Sequence, residues 1–280
     1  MEKVGVHRTT ADDGVELAGH VYGQGPTIVF VHGALEDGEK LWLELASHLS
    51  DRFCCHLIDM RGTEMSDEHS DLSPRRQVHD LAAYVESIGA PVGVIGESGG
   101  AIWTLGATAR SEAIAAAALY EPVAFEAATQ ELAQAFEGEV SLMNELAEEG
   151  RWVEAAEVFF RGVYSDEEWA TVSKEYVKLS GRYVQRQLQE FEQLEESEYS
   201  PTDSDELAEI NAPLLLLNGT RGPLSEWFEQ SVHHIARHVD DTRTRRFDGL
   251  GHSGPMVHPE LIADELRPFF ERTLPRAEAS

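Results

Sequence analysis

The chain has 280 residues, 42% of them hydrophobic, which is enough for a folded core built as one large domain or as a domain with an insertion. It carries 51 Asp and Glu against 22 Lys and Arg, a formal charge of −29 at pH 7, with the acids spread over its whole length. Such a surface argues against nucleic acid and anionic membranes as partners and suits concentrated salt, where the Debye length falls to about 3 Å at 1 M.

A leading hairpin is expected from VGVHRTT and VELAGHVY, turning at Asp12-Asp13-Gly14. The buried strand TIVFVHG, a helix over LWLELASHL and the strand FCCHLID come next, followed by a helix from Ser73 to Ile88 with Pro74 in its first turn. The strand PVGVIGES leads into a small-residue helix, GGAIWTLGATA, and then the strand IAAAALYEP. Wholly apolar strands between helices predict a parallel sheet covered on both faces. From 123 to 206 the pattern becomes helical, with FEAATQELAQAF, SLMNELAEE, RWVEAAEVFFRGV and GRYVQRQLQEFEQLEE and no strand between them. Alternation resumes with LLLLN, a helix near SEWFEQSVHHIARHV, the strand TRTRRFD and a final helix from Pro259 to Glu271. The expected organisation is a core over 1–122 and 207–275 with a helical cap inserted at 123–206.

The only cysteines, Cys54 and Cys55, are adjacent on a strand, so they point to opposite faces and predict neither a bridge nor a metal site. With no signal peptide and no apolar run of membrane-spanning length, the expectation is a soluble cytoplasmic protein, and the charge suggests a halophile's cytoplasm. Nothing in the sequence sets an oligomeric state.

Three motifs carry chemistry. Gly96-Glu97-Ser98-Gly99-Gly100 follows a strand and opens a helix, which is the context of a nucleophile elbow lifting the Ser98 hydroxyl over the sheet. The amide of Gly99 at the helix start can face an oxyanion. Phe30-Val31-His32-Gly33-Ala34 ends the third strand; Gly33 lets the loop fold towards Ser98, making the amide of Ala34 the second oxyanion donor, while His32 is expected to hold the loop. Gly249-Leu250-Gly251-His252-Ser253 follows the last strand and puts His252 at the same sheet edge as Ser98, able to take the serine proton and return it to a leaving group.

Together these residues resemble the α/β-hydrolase superfamily over nearly the whole chain: the strand-plus-HG of Phe30 to Gly33, Asp59-Met60-Arg61-Gly62 after the fourth strand, the elbow at Ser98 and the histidine loop at His252. The resemblance implies a mostly parallel eight-stranded sheet with helices on both faces, a helical cap between strands six and seven, and a Ser-acid-His triad. Glu64 departs from it slightly, standing where glycine is common. A larger departure lies in LLLLNGTRGP, where Gly222 occupies the position of the usual aspartate. A substitute is available in Glu121 of Leu119-Tyr120-Glu121-Pro122, at the end of strand six beside the strand that carries Ser98; certain haloalkane dehalogenases resemble this placement. A structural hydrogen bond is the plainer alternative for Glu121. Asp203, Asp205 and Glu206 precede strand seven, Asp248 would need its loop to fold back, and Glu226 lies on the following helix.

Among lesser features, Arg221 beside the vacated position reads as a solvated loop residue, or as a partner of Glu121 or of an anionic substrate. His234 and His238 are four apart but lack a third ligand. Glu97 either shapes the pocket or is simply tolerated in the elbow. Trp152, Phe159, Phe160 and Trp169 fill the cap or line an apolar pocket. The expected activity is that of a serine hydrolase without cofactor or metal. It would cleave small esters or related acyl compounds through Ser98, His252 and Glu121. Carbon–carbon bond hydrolysis, perhydrolysis and cofactor-free oxygenation use the same frame, and a non-catalytic relative that binds a ligand under its cap is the reading from another class.

Overall fold

The computed structural model describes residues 3–274; position 275, the expected end of the core, lies outside the described residues. Eight strands form one sheet: β1 (Lys3–Thr10), β2 (Glu16–Tyr22), β3 (Thr27–Val31), β4 (Cys54–Asp59), β5 (Val92–Glu97), β6 (Ile114–Tyr120), β7 (Leu214–Gly219) and β8 (Thr242–Phe247). Their order across the sheet is β1-β2-β4-β3-β5-β6-β7-β8. β1 pairs antiparallel with β2, and β2 antiparallel with β4, while the remaining pairs are parallel. The leading hairpin therefore forms the edge, with Gly14 supplying the left-handed turn at φ +92°.

Period-two alternation explains how the central strands serve two cores at once. On β3, Val29 and Val31 join one apolar cluster while Ile28 and Phe30 join the other. On β7, Leu214 and Leu216 face the first cluster and Leu215 and Leu217 the second. All six residues of β5 and of β7 are buried, as a parallel sheet covered on both faces requires.

Helices α1 (Gly38–Ser47), α2 (Pro74–Ser87) and α3 (Gly99–Arg110) connect the strands up to β6. Between β6 and β7 stand α4 (Gln130–Glu148), α5 (Trp152–Val163), α6 (Asp166–Trp169), α7 (Lys174–Ser180), α8 (Val184–Glu195) and α9 (Ser204–Ala208). Helix α10 (Ser225–His238) precedes β8, and α11 (Gly254–Val257) and α12 (Pro259–Thr273) follow it. The inserted helices α4 and α5 pack on each other, and α5 buries Ala155, Ala156, Phe159, Phe160 and Val163 on one face.

The register aligns the carboxyl ends of the central strands: Glu97 lies opposite Tyr120, Tyr120 opposite Leu217, and Gly219 opposite Phe247. Loops leaving β3, β5, β6, β7 and β8 therefore meet at one edge, the crevice where open α/β sheets place their ligands.

Candidate active site

Ser98 follows β5 directly, with φ +52° and ψ −120°, outside the regions ordinary residues occupy. A residue held there stores about 1–3 kcal/mol, which persists only where the surroundings enforce it. They do so here by close approach. A side chain at Gly96 would collide with Thr104 and with the Gly100 carbonyl at 2.6 Å, and one at Gly100 would meet the carbonyl of Val31 at 2.6 Å. The amide of Ser98 donates to the carbonyl of Tyr120 (3.1 Å), which ties the elbow to β6.

Glu121 is the second strained residue at this edge, with φ +45° and no exposed surface. Its amide donates to Leu217 (2.8 Å), and its side chain crosses the end of β7. There Oε1 accepts the amide of Gly219 (2.9 Å), and Oε2 accepts Nδ1 of His252 (2.6 Å). Gly219 has to be glycine, because a Cβ would press on the Leu250 carbonyl carbon at 2.7 Å and on Glu121 Oε1 at 2.9 Å. The ring of His252 stacks on Phe228 at 4.9 Å and 4°. Its loop is held by Tyr120, whose hydroxyl donates to the Gly251 carbonyl (2.6 Å). On the other side Glu168 of α6 accepts both the amide (2.8 Å) and the hydroxyl (2.6 Å) of Ser253.

The other nitrogen of His252 does not meet Ser98. Nε2 lies 2.7 Å from Oε1 of Glu97, the variable residue of the elbow, and no hydrogen bond joins Ser98 to His252. Burial opposes a charged ring, but the carboxylates of Glu97 and Glu121 outweigh it, and the pKa of His252 is raised well above 6.5.

His32 and Gly33 build the neighbouring loop. Nδ1–H of His32 donates to the Gly33 carbonyl (2.9 Å), and Nε2 accepts the amide of Met60 (3.1 Å) and meets the Thr63 hydroxyl (3.2 Å). Burial pushes its pKa down to about 3, so the ring is neutral and holds the loop after β3 against the loop after β4. Around the DxRG stretch, Asp59 accepts the amides of Gly38 (2.9 Å) and Met65 (3.2 Å). The fully buried Arg61 bonds Asp80 (2.7 Å) and Asp13 (3.0 Å). Glu64 sits at φ +34°, which explains why glycine suits this position, and its carboxylate bonds Tyr183 (2.6 Å) and Arg182 beside the inserted helices.

Among the described residues no acceptor takes the amides of Ala34 or Gly99. Both residues border a cavity of about 40 Å³ together with Ser98. The rest of its wall is mainly apolar, including Trp103, Phe136, Phe159, Phe191, Trp227 and Phe228. Of the four aromatic residues singled out in the inserted segment, only Phe159 reaches this wall. Trp152 is 38% exposed, Phe160 stacks on Tyr164, and Trp169 lies under Arg161.

The competing acids are elsewhere. Asp248 is exposed and near Arg246, Glu206 pairs with Arg110 (2.6 Å), and Glu226 accepts from Gln230 (3.1 Å). Arg221 pairs with Glu167 of α6 and not with Glu121. His234 Nε2–H donates to the backbone carbonyl of Thr202 (2.8 Å). Sequence reasoning had not assigned Glu97 its contact with His252, nor found Glu168 or Phe228. For Glu97 a signal existed: period two puts it on the face of Ile95, whose cluster also contains Leu250 of the histidine loop.

A model of the Alpha/beta hydrolase family matches residues 28–265. Solved structures share the fold at low identity. An alpha/beta hydrolase from Sphaerobacter thermophilus is 23% identical with a TM-score of 0.72, covering 94% of this chain and 100% of its own. An esterase from Rhodococcus sp. ECU1013 is 18% identical with a TM-score of 0.77 over 96% and 100% of the two chains. A thermophilic esterase from Thermogutta terrifontis is 20% identical with a TM-score of 0.75 over 98% and 100%.

Proposed function

Because the chain belongs to the alpha/beta hydrolase family, we propose that it is a serine hydrolase that cleaves small esters or related acyl compounds without a cofactor, with Glu121 as the acid of its triad. The observation that carries this reading is the 2.6 Å contact between Glu121 Oε2 and His252 Nδ1, made by a carboxylate whose other oxygen is fixed by Gly219. It orients the imidazole and stabilises its charged form, the two services a triad acid performs.

In this mechanism Ser98 Oγ attacks the acyl carbon as its proton passes to Nε2 of a neutral His252. The oxyanion of the tetrahedral intermediate lies against the amides of Ala34 and Gly99. His252 then returns the proton to the departing alkoxide, the alcohol leaves, and a water molecule, deprotonated by the same nitrogen, releases the acid from Ser98. Residues 123–206 serve as a cap. A cavity of about 40 Å³ is far below the roughly 300–1,000 Å³ of ordinary ligand sites, so substrate enters when the cap shifts. The aromatic wall favours a modest hydrophobic acyl or alcohol part.

The test is intact-mass labelling with a fluorophosphonate in multimolar KCl. Labelling of the wild type that vanishes in Ser98→Ala and slows strongly in Glu121→Gln supports the triad. Fast labelling in Glu121→Gln removes Glu121 from it. A folded wild type that never labels points instead to a relative that binds a ligand without cleaving it.

A further inference from the structure

The elbow residue before the nucleophile has a carboxylate, and that carboxylate is not in solvent. Glu97 is 4% exposed, its Oε1 lies 2.7 Å from His252 Nε2, and Glu121 Oε2 lies 2.6 Å from Nδ1 of the same ring. An ionised carboxylate only accepts hydrogen bonds. A ring flanked by two ionised carboxylates donates from both nitrogens as an imidazolium; beside a neutral ring, one carboxyl would instead have to carry the proton and donate it to the ring. The space for Glu97 is made by Gly33, where any side chain would run into the Glu97 carboxylate.

We propose that Glu97 is a positioning residue of this centre, which holds the imidazolium of His252 by Nε2 in the resting enzyme and must release that nitrogen before Ser98 can be deprotonated. The inference rests on the serine-hydrolase reading for its consequence in turnover, but the clamp itself stands on the two contacts. Ser98 and Glu97 compete for one nitrogen. The serine wins only when the ring has lost its Nε2 proton to solvent, because only then is there a lone pair to receive the proton of Oγ.

The other groups around the ring do not relieve this hold. From the β6 end, Tyr120 and Glu121 face it, and the Tyr120 hydroxyl is committed to Gly251 (2.6 Å). From the inserted helices come Tyr164, with ring centroids 6.3 Å apart, and Glu168, bonded to Ser253. From α10 comes only the apolar face of Phe228. In the loop after β3, burial pushes the carboxyl of Glu36 up to about 7, and Lys40 at 3.0 Å offsets what charge it carries. The two carboxyls on its nitrogens are thus the groups that act on the ring, and the raised pKa of His252 agrees with the geometry.

Activity needs the neutral ring, so a clamp that favours the charged one moves the acid limb of kcat/KM upward in pH. Removing the charge of Glu97 moves it down. The experiment follows His252 by nitrogen-15 NMR in Ser98→Ala, with and without Glu97→Gln, and measures the pH profile of kcat/KM for Glu97→Gln and Glu97→Asp on the active background. The expected result is that His252 titrates at lower pH in Glu97→Gln. The acid limb should move with it and raise kcat/KM below the wild-type limb by about tenfold to a hundredfold, the worth of a hydrogen bond to a charged group. Glu97→Asp keeps the charge and should stay near the wild type. A His252 that titrates identically with glutamate or glutamine at 97 overturns the proposal, as does an acid limb that stays put while the ring's titration moves. If no variant turns over an ester, the serine-hydrolase reading falls and the NMR titration alone decides the clamp.

Discussion

Replacing Glu121 by glutamine changes one oxygen to an NH₂ and leaves shape and volume nearly unchanged, so its effect can be worked from the two bonds the carboxylate makes. Oε1 accepts the amide of Gly219 at 2.9 Å. The glutamine must therefore keep its carbonyl towards Gly219 and turn its NH₂ to Nδ1 of His252. Nδ1 then has to be the unprotonated nitrogen, and the ring's proton is forced onto Nε2, where Glu97 waits at 2.7 Å. This tautomer cannot accept the serine proton. The corresponding change in a Ser-His-Asp triad lowers kcat by about 10⁴-fold, or roughly 5.5 kcal/mol of transition-state stabilisation at 1.36 kcal/mol per decade. The assay is kcat and KM on a short-chain 4-nitrophenyl ester in high salt, alongside a thermal melt to show that Glu121→Gln is folded. A loss in kcat near that size with little change in KM is expected. A variant within about tenfold of the wild type would refute the tautomer reasoning.

Restoring an aspartate at the vacated position does not rescue that variant. Gly222 has φ +103°, and a Cβ there would sit 2.9 Å from the Val163 carbonyl of α5, so Glu121→Gln/Gly222→Asp stays as slow as Glu121→Gln and melts lower, by about 1–3 kcal/mol of strain; recovery of activity would show that the loop after β7 still reaches His252. Burial pushes the carboxyl of Glu139 up to about 7, and its Oε2 has no partner. A folded-state pKa above the unfolded 4.5 gives stability that is present below pH 4.5 and lost as pH rises through 7, so Glu139→Gln is more stable than wild type at pH 8, by about 1 kcal/mol after solvent screening of this half-buried group, and scarcely so at pH 4. Equal gains at both pH values would remove the titration from the explanation. The charge of −29 predicts that the melting temperature rises by about 5 °C or more between dilute and multimolar KCl, and a salt-independent melt would separate the acidic surface from any salt adaptation.

Much of the architecture can be read in the chain because parallel strands buried on both faces leave an unmistakable apolar record, as in Leu214 to Leu217. The glycines around Ser98 likewise record a turn that only close backbone approach demands. The contact of Glu121 with His252 was readable from neighbourhood alone, since adjacent parallel strands end side by side. What the sequence does not disclose is docking across long separations. Glu168 meets Ser253 from 85 residues away, and Arg221 finds Glu167, because the inserted helices settle on the sheet edge in one particular pose. The second carboxylate on His252 lay between these cases. Strand periodicity indicates the face of Glu97, but only the final course of the histidine loop turns that face into a contact.

With Glu121 as the proposed triad acid, the segment after β7 has no catalytic acid to supply. Its exposed tip around Arg221 and Pro223 can then be opened without separating Ser98, Glu121 and His252 from the strands that hold them. A circular permutant with new ends at this tip, its old ends joined by a flexible linker, would keep Ser98, Glu121 and His252 on intact strand-loop junctions. The same cut in a hydrolase that carries its acid after the seventh strand would fall beside the catalytic aspartate.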